Sequence, residues 1–423
     1  MREYYEEYIM MLYGLLFALI ILVDFFESNV PYFNYWDEFL TIAIVIWQFF
    51  KCKRISVRSI KQWVLLIGII LLGLLGNFLH PGIQSNNITI YKDIMAATKF
   101  FIVIYALDER NVKNIKQIRI TNNAAKISRV IIVCMLVVAV ITYPLNTSLY
   151  TGEVRIIKSF QFIFSHPTFL VTSSVLMMTV LIADSVEKNK IYLICNCIIL
   201  FLAQRDKGYV ALLLSMVILL LGEKRCTIYL NNIVESSKKS VWRWRALILL
   251  SIMVILAYNI GKEKINLYLG WGLVAARPAL YIVGLKIAFE FFPIGSGFGT
   301  FASTLSVRNY SAIYDKYKIS GVLGLTREYY GFAGDVFWPY IYGQFGVVGF
   351  VIYIKIMFNV LKRQLKSSLR SSDRLAILYL WIYILVASTA EAYFTNATAV
   401  QSAIILSVYI GYNNKRRDFN EKK

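Results

Sequence analysis

The residues best suited to chemistry are charged side chains at the edges of apolar segments. A tight turn between two apolar runs carries Arg205, Asp206 and Lys207, and Arg277 heads a segment with helical periodicity. A guanidinium offers a planar fork of donors that matches two phosphate oxygens, and the start of a helix also favours an anion. These positions predict a phosphate-binding site. The alternatives are an Arg205–Asp206 pair that caps the turn and an arginine that only lies at the membrane surface.

Two further side chains are candidates for a general base. Asp335 precedes an apolar run, and His166 precedes a proline at the start of another. A carboxylate or an imidazole in such a place can take a proton from a hydroxyl group. Each also fits a structural role, because Asp335 can cap the next helix and His166 can bond to the backbone. The sequence has one other histidine, His80, and no His-Glu-x-x-His motif. Because two histidines cannot form a three-histidine metal site, we predict no metal site and no cofactor.

Weaker candidates for substrate binding lie in the longer polar segments. Arg155 lies in one of these, and Arg308, Tyr314 and Arg327 lie in another. Tyrosines are frequent in the second segment, a composition that suits a surface facing sugars and equally suits an aromatic belt at the membrane boundary.

The elements that carry these residues are apolar. The chain has 423 residues, of which 58% are hydrophobic and only 17% charged, against roughly 25% charged in soluble domains. A membrane-spanning helix needs about 20 apolar residues. We therefore predict an all-α, polytopic integral membrane protein, with residues 1–423 as one domain and about twelve spans. The apolar runs are at 9–25, 36–50, 62–79, 91–107, 130–149, 166–184, 191–204, 209–222, 246–260, 336–358, 375–391 and 397–412.

The net charge of +20 sets the predicted orientation. Basic clusters separate the apolar runs, and the positive-inside rule places such clusters, with both chain termini, in the cytoplasm. Membrane lipids are the expected partners of these basic clusters, because their anionic headgroups attract lysine and arginine. No nucleic-acid partner is needed to explain the net charge. The five cysteines lie in apolar runs or basic loops, so no disulfide is expected. The basic clusters lie at residues 51–61, 110–129, 224–245, 362–374 and 415–423.

Residues 261–335 form a long loop on the opposite, outer side of the predicted membrane. Its segment 271–292 has helical periodicity, and we expect a helix at the membrane interface with an ion pair between Lys286 and Glu290. The glycine-rich stretch 295–299 follows. Because no strand precedes it and no Gly-Lys-Ser/Thr follows, we predict a sharp turn and not a nucleotide-binding loop.

Several of these stretches together resemble the superfamily of bacterial O-antigen polymerases and O-antigen ligases, which includes capsule and exopolysaccharide polymerases. The order of the motifs, the predicted topology and the single long outer loop carry the resemblance. The matching stretches are residues 164–170, 204–208, 277–301, 335–339 and 343–349.

The resemblance implies a metal-independent glycosyltransferase of the bacterial cytoplasmic membrane, with its active face outward. Its substrate would be an oligosaccharide on polyprenyl diphosphate, with Arg205, Lys207 and Arg277 as ligands of the diphosphate. Phe337 and Trp338 stand where the ligase branch usually has a histidine, which favours a polymerase over a ligase. Flippase and chain-length regulator proteins are the implied partners. A ligase-like transferase, a flippase of lipid-linked oligosaccharides and a non-catalytic scaffold are the alternatives.

Overall fold

The chain is mostly helical (76%), with 15 α-helices in the described part of the computed structural model. Every apolar run predicted as a span coincides with a helix, apart from 246–260, which lies outside the described residues. The structure describes residues 2–51, 57–108, 114–145, 147–154, 156–235, 266, 270–368 and 370–410.

The helices of the described residues are numbered here in chain order. Those of the first half are α1 (Arg2–Ile21), α2 (Val23–Asn29), α3 (Trp36–Lys51), α4 (Val57–Leu79), α5 (Asn87–Asp108), α6 (Asn114–Thr142), α7 (Pro167–Asp184), α8 (Val186–Leu202) and α9 (Asp206–Glu235). Those of the second half are α10 (Ala276–Glu290), α11 (Thr304–Arg308), α12 (Ala312–Lys316), α13 (Trp338–Ser367), α14 (Ser371–Ala387) and α15 (Ala397–Ile404), which a π-helical turn (Ile405–Tyr409) extends.

By length and composition, four helices of the described residues can cross a membrane. A fifth span is possible if α1 and α2, which are bent by 65° relative to each other, act as one broken span. These apolar helices indicate a membrane-embedded protein, whereas the number of twelve spans and the orientation stay predictions. The four helices are Ile60–Leu79, Lys116–Leu145, Pro167–Asp184 and Trp338–Ser367.

Helix α7 lies in the interior of the bundle. It is apolar on all sides, 83% of it is buried, and it packs against α6, α8 and α14. A helix without a polar face needs neighbours all round it, which is why α7 is enclosed. Helix α13 packs against α4 and α10, and α5 packs against α3 and α15.

A network of polar side chains joins these interior helices at one end of the bundle. Arg129 of α6 donates from Nη2 to Asp184 of α7 (3.0 Å) and from Nε to Asn189 of α8 (2.8 Å). Arg370, next to α14, donates to the backbone oxygen of Asp184 (3.4 Å). Because the Asp184 side chain is only 7% exposed, this network replaces the water that a buried carboxylate would otherwise need.

The glycine-rich stretch is a sharp turn, as predicted. Gly295 and Gly297 have positive φ angles, and the amide of Gly297 donates to the carbonyl of Gln344 in α13 (2.8 Å). Helix α13 is itself broken at Gly346, where φ is +60° and a Cβ atom would lie 2.4 Å from the carbonyl oxygen of Pro293. The glycines therefore allow two backbone segments to touch, and they are packed inside the protein.

Two features differ from the sequence-based expectations. The segment before α7 contains a short antiparallel hairpin, β1 (Tyr150–Val154) and β2 (Lys158–Phe160), in a chain predicted as all-α. The predicted ion pair between Lys286 and Glu290 is wrong, because Glu290 pairs with Lys316 of α12. Tertiary contacts outweigh the i,i+4 neighbour in this case, since an exposed helix pair contributes only a few tenths of a kcal/mol.

Candidate functional site

Arg277 lies in the first turn of α10. The residue before the helix, Ala275, provides no capping side chain, so the amide groups of this helix end keep their affinity for an anion. The Nη2 atom of Arg277 lies 3.0 Å from Oδ2 of Asp335, and the two side chains are 37% and 30% exposed. Two residues that the sequence proposed separately thus form one ion pair at an accessible edge.

A second ion pair joins Lys207, in the first turn of α9, to Glu391. Glu391 lies in the loop between α14 and α15, and the two side chains are 14% and 16% exposed. Glu391 was not predicted as a site residue because it stands at the last position of an apolar run. An acidic residue at the end of such a run was the available signal.

Hydrogen bonds hold the loop of Glu391 against the segment that carries Asp335. The amide of Ala392 donates to the carbonyl of Gly334 (3.2 Å), and the Tyr281 hydroxyl of α10 donates to the carbonyl of Thr389 (2.8 Å). Burial raises the pKa of Tyr281 to about 12, which keeps this hydroxyl protonated as a donor. The two ion pairs are therefore parts of one cluster, which we call the outer cluster: Arg277, Asp335, Lys207 and Glu391.

Asp335 lies within electrostatic range of both Arg277 and Glu391. Burial raises the pKa of the Asp335 carboxyl above its ordinary value; the Arg277 guanidinium opposes this shift, and the charge of Glu391 adds to it. Asp335 is thus a stronger base than a solvent-exposed aspartate. Two cations and two carboxylates leave the cluster without net charge.

Arg205 is half-buried in the turn before α9, two residues before Lys207. The adjacent side chain of Gln204 is fully buried, and its Oε1 atom accepts from the amide of Ile156 (3.2 Å) and from the Tyr209 hydroxyl (3.0 Å). This joins the β1–β2 hairpin to the turn of Arg205. The other candidate on that hairpin, Arg155, lies outside the described residues.

His166 caps α7. Its Nδ1 atom accepts from the amide of Thr168 (3.2 Å), and the residue is exposed. The preceding residue, Ser165, donates from its amide and its hydroxyl to Asp24 at 2.7 and 2.8 Å. The backbone contact that formed the alternative explanation for His166 is thus present. It keeps the imidazole at the surface, where proton transfer is still possible.

Arg327 and Arg308 lie on a different part of the outer loop. Arg327 pairs with Asp315 (3.1 Å), both side chains being more than half exposed, and its guanidinium lies 4.3 Å from the centre of the Tyr310 ring. Arg308 ends α11 and is exposed. An exposed arginine on a tyrosine ring suits a sugar or a water-facing surface, and it contributes little to stability.

Tyr314 does not suit the substrate-binding role predicted for it, because its side chain is completely buried. Its hydroxyl shares a hydrogen bond with the Ser306 hydroxyl (2.7 Å) and accepts from the amide of Ala302 (3.1 Å). These contacts tie α12 to the turn before α11. Aromatic composition alone does not separate a surface tyrosine from a buried one.

The two cations of the outer cluster are suited to bind a diphosphate. A diphosphate brings negative charge and several acceptor oxygens, and it can replace the carboxylates as the partner of Arg277 and Lys207. The Nε atom of Arg277 is buried and has no hydrogen-bond acceptor among the described residues, so an entering acceptor would satisfy it. The displaced carboxylates would then be available as bases.

No protein-family model, curated protein or solved structure matches this chain.

Proposed function

We propose that this protein is a polysaccharide repeat-unit polymerase, a glycosyltransferase that moves a glycan chain from polyprenyl diphosphate to a hydroxyl group of another lipid-linked repeat unit. The observation that carries the proposal is the outer cluster, which joins two cations and two carboxylates from four separate segments. The order of motifs along the sequence supports the same function. Its proposed place is the outer face of the bacterial cytoplasmic membrane, beside the flippase that supplies the substrate.

In the proposed reaction, the acceptor hydroxyl oxygen attacks the anomeric carbon of the donor. The bond from that carbon to the diphosphate oxygen breaks, and polyprenyl diphosphate leaves with the electron pair. Arg277, Lys207 and the neighbouring Arg205 stabilise the charge that develops on the leaving diphosphate. The hydroxyl proton passes to a general base, for which the Asp335 carboxylate is the first choice and the His166 imidazole the second.

The direct test is polymerisation of purified lipid-linked repeat units by Arg277→Ala and Arg205→Ala variants. We expect each to lose roughly two to three orders of magnitude in rate, as when one fixed charge-stabilising donor is removed. The matched control is Arg225→Ala, since Arg225 is exposed in the second half of α9. If Arg277→Ala and Arg205→Ala both polymerised at the wild-type rate, the assignment of these arginines as diphosphate ligands would be wrong. Product that leaves the lipid carrier, in place of longer lipid-linked chains, would indicate a ligase.

A buried ion pair favours one second candidate, a flippase of lipid-linked oligosaccharides. Lys99 of α5 pairs with Asp37 of α3, with side chains 3% and 4% exposed, and Glu38 lies 3.9 Å from Lys99. Charges enclosed by membrane helices often mark a transport route. The double variant Lys99→Met with Asp37→Asn removes the pair without leaving a lone charge. Loss of translocation in reconstituted vesicles with polymerisation retained would favour the flippase.

A further inference from the structure

A groove of about 900 Å³ lies between α1 and α6, outside the site described above. The two helices touch at Gly14, where a Cβ atom would lie 3.0 Å from Nδ2 of Asn123. The same Asn123 amide donates to the backbone oxygen of Met10 (2.9 Å). Because this contact fixes the two helices side by side, the groove between them is a built feature of the fold.

The groove is charged at one end and apolar along its length. Lys116 and Glu7 line the charged end, and Met11, Leu15 and Ala18 line the apolar part. At 1.5 Å per residue, the distance from Glu7 to Ala18 along α1 is about 16 Å. One leaflet of a bilayer has a hydrocarbon thickness of about 15 Å. The groove therefore matches an acyl chain with its headgroup at the membrane surface.

The charged end carries both signs in equal number. Arg119 and Glu6 pair with each other at 3.3 Å and are well exposed. Lys116 and Glu7 form no ion pair with any other residue that the structure describes. One cation and one anion are thus left to meet a ligand, with no net charge at this end of the groove. An anionic headgroup would leave the Glu7 carboxylate without a partner, whereas a zwitterionic headgroup supplies a partner to both Lys116 and Glu7.

We propose that this groove binds one phospholipid with a phosphoethanolamine headgroup. Lys116 binds the phosphate, Glu7 binds the ammonium group, and one acyl chain lies along Met11, Leu15 and Ala18. The site lies at the helix ends opposite to those that lead to the outer segments, and it is independent of the proposed polymerase function.

The test is native mass spectrometry of the full chain in detergent, titrated with phosphatidylethanolamine or phosphatidylglycerol. We expect one tightly held phosphatidylethanolamine per chain. Lys116→Ala and Glu7→Gln should each weaken its retention about fivefold, the effect of one charged group at a headgroup. Ala18→Trp fills the apolar part and should prevent binding without touching a charge. The control is Lys126→Ala, an exposed residue of α6 that does not line the groove.

Three outcomes would overturn the proposal. Stronger retention of phosphatidylglycerol would show that the headgroup preference is anionic. Equal loss of lipid in the Lys126→Ala control would show general attraction to the membrane surface. A dimer that Ala18→Trp dissociates would show that a second copy of the chain fills the groove. Retention of phosphatidylethanolamine that Lys116→Ala, Glu7→Gln and Ala18→Trp all weaken would support it.

Discussion

Replacement of Glu391 by glutamine tests whether the carboxylates of the outer cluster act as stand-ins for the substrate diphosphate. Glu391 forms an ion pair with Lys207, so a diphosphate that binds Lys207 would have to displace the Glu391 carboxylate. Glu391→Gln removes the competing charge and keeps the shape of the side chain. We therefore expect the variant to bind a diphosphate more tightly than the wild-type protein does, although it is less stable.

The burial of the Lys207–Glu391 ion pair determines how much stability the Glu391→Gln variant should lose. Breaking a fully buried ion pair by removing one partner costs roughly 3–5 kcal/mol, because the remaining charge loses its counter-ion. Lys207 and Glu391 are 14% and 16% exposed, so water relieves part of this loss, and we expect about 2 kcal/mol of destabilisation. A bound diphosphate restores a partner to Lys207. If it recovers about 1.4 kcal/mol of that loss, its affinity rises about tenfold.

The assay uses farnesyl diphosphate, a short prenyl diphosphate, with the purified full chain. Isothermal titration gives the affinity, and thermal unfolding with and without the ligand gives the stability of each state. The control is Glu290→Gln, since Glu290 pairs with Lys316 on the same loop but both side chains are about half exposed. It lies about 20 Å along α10 from Arg277, and its removal should change neither quantity by more than about 1 kcal/mol.

Weaker binding by Glu391→Gln, to the extent seen with Lys207→Ala, would refute this reasoning and make Glu391 a substrate ligand. We also expect Glu391→Gln to change the pH dependence of the reaction. The charge of Glu391 raises the pKa of Asp335, so its removal lowers that pKa. If Asp335 is the base, the acid limb of the pH profile of kcat/KM moves to lower pH in Glu391→Gln. An unshifted limb would exclude Asp335 as the titrating base.

Three further variants test other parts of the structure. His166→Asn keeps a helix-capping side chain but removes the titratable imidazole, so stability should hold within about 0.5 kcal/mol, and a lower kcat would assign His166 a role in proton transfer. Gly346→Ala should destabilise by more than about 2 kcal/mol in chemical unfolding, because of its positive φ and the close carbonyl of the neighbouring turn, whereas Gly82→Ala, with open space around it, should not. Asp184→Ala leaves Arg129 without its carboxylate, and we expect a loss of about 2–4 kcal/mol in thermal unfolding.

Hydropathy was enough to predict the long apolar helices, but not the short α11 and α12, because a helix in a membrane satisfies its backbone hydrogen bonds internally and needs mainly apolar side chains. The run 166–184 predicted α7 in this way. Features that depend on contacts between distant segments were not predictable. The β1–β2 hairpin lies against the turn before α9 through Gln204, and the break in α13 at Gly346 exists because the turn after α10 packs on it.

In the candidate site, likewise, the important residues could be predicted from their types, but their partners could not. Residue types singled out Arg277, Asp335 and Lys207, since such groups are unusual at the ends of apolar runs. Their pairing was not foreseeable, because 58 residues separate Arg277 from Asp335 and 184 separate Lys207 from Glu391. A contact between residues that are distant in sequence produces no local periodic pattern from which it could be predicted.

The missed Glu391 has a physical explanation that bears on how anion sites in membrane proteins are recognised. Two cations close together at the edge of a low-dielectric region repel each other and are poorly solvated, so an empty site is stable only with counter-ions in place. Asp335 and Glu391 are the counter-ions of Arg277 and Lys207 in this structure. A search for cations alone therefore finds half of such a site. Acidic residues at the ends of apolar runs are the complementary signal: Glu391 ends the run 375–391, and Asp335 directly precedes the run 336–358.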